Sequence, residues 1–448
     1  SLSQDNHEKI LLGGLINFLG KITEDYNNDK SKGVNNDKNY ISNFISKGKF
    51  ILKECSQSEN CLNIILDSPI FNNIITEILE FNHNPKSINV NSNTKRIFIY
   101  DNAILTNIYI MIKSYEQILK KIDINTLIKL GAKTLNIILL EYITNILYYY
   151  IKKNEANLTN EFYAKVFAIM EKCIRNKNRS PTLMSIICNL ALLLYTPKNS
   201  QNIDKLRIIE SINNDIKSFE SDERYLVSAL NCLTTLVKNN QKNIDDCYDI
   251  GLVQKCKKII FDLTKDNPEN YIIILLKLTE FYYYLIKNKP ENSNKLCEYD
   301  ITRNVVKYID IFNEKIKKKS EPENKINIQD IINNGIINEL KINDNNKQDN
   351  DIIKEEPFDH MSLGLNKGQN KENLIIDCSG IILMNCINYL DIITTIPDAN
   401  TYLTSKTSFT KYVIAAIKNE KNDKTFIANA LHCLGNYIIS KEGGEYLK

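Results

Sequence analysis

The stretch ALNCLTTLVKNNQKNIDDCYDIGLVQKCKKIIFDL (229–263) spaces its apolar residues three and four apart. Leu230, Leu233 and Leu236 stripe one helix, and the polar run KNNQKN interrupts it. A second, short helix is predicted to begin near Ile244, with Gly251 at its end, because glycine enters left-handed backbone without steric cost. A third helix, LVQKCKKIIFDL, follows at once. Helix, turn, short helix, glycine, helix is the size of a repeated structural unit.

The same frame recurs. Thr235 sits five residues after Leu230 with apolar groups on either side, and Tyr148, Asn189, Tyr283, Asn388 and Asn436 occupy matching places. Their spacings are 41, 46, 48, 105 and 48 residues, four of them at or just above the roughly 40–47 residues of armadillo and HEAT units. The outlier contains a polar, highly charged segment at 314–372; removing about 57 residues restores the period. Low hydrophobicity with dense charge does not offset the entropy of folding, so this insertion is expected to be largely disordered. Shorter polar loops are expected at 27–39 and 82–96. FILKECSQSENCLNIILDSPIFNNIITEIL (50–79) and INTLIKLGAKTLNIILL (124–140) supply further partial units, the latter with Gly131 between its two helices. About eight units are expected, nine if LLGGLINFLGKI (11–22) is the remnant of another. The abrupt Ser1 opening and the unit-like start KEGGEYLK at the other end suggest a segment of a longer protein.

Composition narrows the class. With 14 glycines, 9 prolines and no tryptophan among 448 residues, turn chemistry is too sparse for a many-stranded β fold. The net charge is +3 and only six basic residues are arginines, which weighs against nucleic-acid readout. The wealth of Asn, Lys, Ile and Tyr reflects the codon bias of an AT-rich genome, such as a protozoan's. The most apolar segments, 135–151 and 271–286, are interrupted by Glu141, Lys277 and Glu280, so both read as buried helices; no transmembrane segment is expected. Eleven cysteines without a C-x-x-C pair read as small buried hydrophobes in a reducing compartment, the cytoplasm or the nucleus.

ALNCLTTLVKNNQKNIDDCYDIGLVQKCKKII resembles the armadillo repeat, with sixteen residues between Thr235 and Gly251, and ANALHCLGNYI (428–438) is a second match. HEAT repeats are a close alternative for the remaining units. The resemblance implies an all-α, right-handed α-solenoid whose third helices line a concave groove that takes an extended peptide or a partner helix. The groove positions are the frame residue and the one four earlier, on the same helix face. They are Thr144/Tyr148, Ser185/Asn189, Asn231/Thr235, Thr279/Tyr283, Met384/Asn388 and His432/Asn436. An asparagine there presents a donor and an acceptor to a peptide backbone, although asparagine is also frequent in this composition.

Nothing in the sequence assembles chemistry. Cys232, Cys247 and Cys256 match no zinc spacing, and the four histidines join no Cys/His or Ser/His/Asp arrangement. Neither a glycine-rich phosphate loop nor a cofactor motif is present. The expectation is a non-enzymatic scaffold for another protein, without cofactor, metal or small-molecule substrate. Nuclear import adaptors pair their groove asparagines with tryptophans, which this chain lacks. A myosin-directed co-chaperone of the UCS type, a trafficking or membrane-tethering adaptor, and an RNA-binding solenoid stand as alternatives. The YYY runs at 148–150 and 282–284, each followed by lysines, are candidates either for packing between units or for interface spots.

Overall fold

Wherever the chain is described, apolar residues three and four apart form helices, and no strand occurs among the described residues. The structure, a computed structural model, describes residues 38–56, 124–134, 137–154, 158–317, 371–419 and 421–440, with scattered positions between 14 and 65. The predicted loop at 82–96 lies outside the described residues, as do most of 27–39 and of 50–79 and half of 11–22. Of the expected insertion, Glu314–Lys317 complete one helix, Lys371 and Glu372 begin the next, and 318–370 lie outside the description.

The chain divides into two compact units, Ser1–Leu193 and Leu194–Lys448. The first holds α1 (Lys38–Cys55), α2 (Ile124–Lys133), α3 (Ile137–Asn154), α4 (Asn160–Arg175) and nearly all of α5 (Pro181–Leu194). Helix α2 packs against α3 and α4. Gly131, expected to separate two helices, instead lies inside α2, which continues to Lys133. Its role is close approach: a Cβ there would fall 2.9 Å from Ile169 Cδ1 and 3.1 Å from Ile143 Cγ2. Lys172 of α4 closes the contact by donating to the Gly131 and Ala132 carbonyls at 3.3 and 2.7 Å, which the end of α2 leaves open.

The second unit repeats one three-helix pattern four times. The triplets are α6 (Ser200–Lys205), α7 (Ile208–Asp215) and α8 (Glu223–Asn239); then α9 (Gln241–Asp249), α10 (Leu252–Thr264) and α11 (Ile272–Lys287). After them come α12 (Ser293–Glu298), α13 (Ile301–Lys317) and α14 (Lys371–Ile393), and finally α15 (Pro397–Lys406), α16 (Phe409–Ile417) and α17 (Lys424–Ile439). The third helices stack in order: α8 packs on α11, α11 on α14, and α14 on α17. A second layer covers them, with α13 packed on α14 and on α16.

Local chemistry sets the corners. Asn240 alone separates α8 from α9: its extended backbone ends one helix, and its side chain caps the next by accepting from Lys242 N at 3.0 Å. The short helix therefore begins at Gln241, three residues ahead of the expected start. Between first and second helix the backbone turns left-handed at Arg207 (φ 54°), Gly251 (φ 72°) and Asp300 (φ 61°), one in each of three successive triplets. Only one of the three is glycine, so two of these corners carry no sequence signal. Asp222 and Asp423 cap α8 and α17.

Helix α11 is buried almost all round, including Lys277, whose Nζ meets Glu280 at 3.1 Å. Within α14, Ile375–Ile393 is the only stretch among the described residues long and apolar enough to cross a bilayer, and half of it is buried in the protein. All eleven cysteines are buried. Burial pushes the Cys173 and Cys256 thiols up to about 12 and the Cys297 thiol up to about 11.

Two outcomes are expected. Gly251→Ala costs about 1 kcal/mol through backbone strain alone, since a Cβ there meets nothing within 4 Å; a lower urea midpoint at unchanged slope is the readout, and an unchanged midpoint would contradict a left-handed corner. In the native protein none of the eleven thiols should titrate with an aromatic disulfide at neutral pH until denaturant is added; a fast-reacting thiol would contradict their burial.

Candidate partner-binding face

The third helices of the second unit each keep one stripe free of core packing, because neighbouring triplets cover the rest. On α8 that stripe contains Asn231 and Thr235, both half-buried; on α11 it contains Tyr283, and on α14 Asn388. On α17 it contains His432, exposed, and Asn436, half-buried. These six expected positions therefore lie at corresponding places on four helices packed in sequence.

Where α14 meets α17, side chains cross between the helices. Asn429 Nδ2 donates to Asn388 Oδ1 at 3.1 Å. His432 Nδ1–H donates to Asp391 Oδ1 at 2.8 Å, and Asn436 Nδ2 donates to the same oxygen at 3.1 Å. Asp391 and Asn429, which sequence reasoning missed, thus hold three of the expected residues in place. Their signal was available: Asp391 follows Asn388 by three residues and Asn429 precedes His432 by three, the spacing of one helix face.

Where α8 meets α11, aromatic rings and ammonium groups replace the amides. Lys238 Nζ lies 5.1 Å from the Tyr284 ring centre, and Lys287 Nζ lies 5.2 Å from Tyr283 and 5.5 Å from Tyr284. Asn288 fixes the register by donating to the carbonyls of Val237 and Lys238 at 3.1 and 3.0 Å. Between α11 and α14, Asn385 Nδ2 reaches Thr279 Oγ1 at 3.4 Å.

The first unit holds the other two expected residues. Tyr148 of α3 is half-buried, which raises its phenol, and Lys152 Nζ stands 6.0 Å from its ring, repeating the Tyr283–Lys287 spacing. Asn189 of α5 is only 8% exposed. Among the positions four residues earlier, Thr144, Ser185 and Thr279 are buried and bond to carbonyls of their own helices. Short hydroxyl side chains satisfy themselves locally in this way, which removes these three from any exposed face. The YYY runs split: Tyr149 and Tyr282 are buried, while Tyr148, Tyr150, Tyr283 and Tyr284 stay half-exposed.

The described residues define an all-helical chain of repeated helical units, a solenoid-like helical repeat protein. No protein-family model matches the chain, and no curated protein matches it. Among solved structures it is similar to an engineered protein at TM-score 0.47 and 10% identity, over 98% of this chain and 97% of that one. It is also similar to a circular tandem repeat protein with novel repeat topology and enhanced subunit contact surfaces, at TM-score 0.28 and 9% identity over 98% of each. Likeness at those scores is slight, and the repeat architecture stands on this chain's own triplets.

On α3, two turns before Tyr148, burial raises the carboxyl of Glu141, opposed in part by the hydroxyl that Ser180 donates to it. A raised acid binds its proton more tightly in the folded state, so its contribution to stability is complete in acid and is lost as pH rises through the folded value. Glu141→Gln keeps an acceptor for Ser180 and never ionises. It should raise the urea midpoint at neutral pH, with the gain vanishing as pH falls below about 4.3, the ordinary glutamate value; a pH-independent difference would refute this assignment.

Proposed function

We propose that this chain is a non-enzymatic scaffold of armadillo/HEAT-like character, a right-handed solenoid of about eight units. Its third-helix face binds an extended segment or a helix of another protein. The observation that carries the reading is the alignment of Asn231, Thr235, Tyr283, Asn388, His432 and Asn436 on four consecutive, mutually packed helices. A stacked array of this kind offers a long surface rather than a closed pocket, and polar groups repeated at helix spacing suit a peptide backbone. Eleven cysteines, all buried, read as small apolar residues of a reducing compartment, the cytoplasm or the nucleus.

Display of random peptides against the full chain, followed by hydrogen exchange with a selected peptide, tests the reading. Bound peptide should slow exchange in α8, α11, α14 and α17, and Tyr283→Ala should weaken binding about tenfold, as loss of an interface aromatic does. Selection of no peptide, or protection confined to other helices, would overturn it.

A further inference from the structure

The α8–α11 end of this face carries positive charge that the described residues leave unneutralised. Lys238 and Lys287 are both exposed, and neither lies within ion-pair distance of a carboxylate among the described residues. Of the acids close by in the chain, Glu280 pairs with Lys277 at 3.1 Å and Asp245 with Lys289, while Glu291, four residues after Lys287, forms no ion pair with it. The two ammonium groups stand over Tyr283 and Tyr284, whose ring centres are 5.1 Å apart at 53°. A hydrogen bond to Tyr283 makes Lys287 hold its proton more tightly than a free lysine. Stacking on a ring face uses the field of the cation but not all three of its N–H donors. Each lysine is therefore held in place with donors still open.

The other end of the face is different. The Asp391 carboxylate already accepts from His432 and Asn436. The surface is thus cationic and open at α8–α11, and acidic but internally satisfied at α14–α17.

We propose that the Lys238–Tyr284–Tyr283–Lys287 cluster is the docking point for a carboxylate-rich extended peptide of a partner protein. The inference rests on the scaffold reading and specifies its partner. Adjacent helix axes lie roughly 8–10 Å apart, and extended chain advances about 3.3 Å per residue. Acidic residues two or three apart in the partner therefore reach both lysines. Nucleic acid fits less well: the patch has no arginine, and its tyrosine faces are covered by lysines, so bases find no stacking platform.

The probe is a labelled peptide of alternating glutamate and serine, added to the full chain and followed by fluorescence anisotropy. It is compared with a glutamine–serine peptide, a lysine–serine peptide and single-stranded oligothymidine. The glutamate peptide should bind at least about tenfold more tightly than the others, and its affinity should fall with added salt. Lys238→Glu with Lys287→Glu should weaken it about tenfold or more while circular dichroism stays unchanged. Lys238→Met with Lys287→Met should weaken it less. Equal binding of the glutamine or lysine peptide, no effect of the double reversal, or tighter binding of oligothymidine would each overturn the proposal. Display-selected peptides that protect the third helices without acidic enrichment would overturn it too, while leaving the scaffold reading intact. Selection of no peptide at all would remove both.

Discussion

The second unit depends on burial shared between neighbours. Helices α11 and α14 are apolar on more than one side, and each is covered by the third helix before it and the one after it. Each Å² of apolar surface so covered contributes about 25 cal/mol, and much of the cover for α11 and α14 comes from neighbouring triplets. Stability is therefore a property of adjacent pairs, as expected of an array in which each unit contacts only its neighbours. Half of the apolar stretch of α14, long enough to span a bilayer, is buried inside the protein.

Register between neighbours is held by polar groups, and asparagine supplies most of them. Asn240 and Asn243 both donate to Asp204 of the preceding triplet, and Asn288 ties the end of α11 to the end of α8. Asn419 and Asn422 converge on Asn313 from the loop between α16 and α17, all three buried. A buried amide without partners costs more than its bonds return when made, so such contacts penalise any other alignment. An asparagine-rich composition, which looks like genomic background, is used here as the hardware of inter-triplet alignment.

The exposed stripe of the third helices is what this packing leaves over. It is divided into an aromatic–lysine end and an amide–carboxylate end, although all four helices occupy equivalent positions. Residues three places past the frame explain the difference: Lys238 on α8 but Asp391 on α14. Lys287, four places past Tyr283 on α11, adds the second positive charge.

Much of the architecture was legible along the chain. Helical periodicity located α8, α10, α11 and α17, and the frame set by Leu230, Leu233 and Leu236 marked the third helices, because burial of one helix face depends on residue spacing alone. The stripe carrying Asn231, Thr235, Tyr283, Asn388, His432 and Asn436 followed from the same spacing. Tertiary structure decided the rest. Arg207 and Asp300 take left-handed corners that only Gly251 advertised, and Gly131 turned out to serve helix contact rather than helix termination. Thr144, Ser185, Thr279 and Asn189 are buried, while Asp391 and Asn429 joined the face through bonds to a neighbouring helix. Spacing tells which residues share a face. Which of them meet a partner helix, and which remain open, is fixed by contacts between residues some 40 or more positions apart, to which periodicity within one helix is blind.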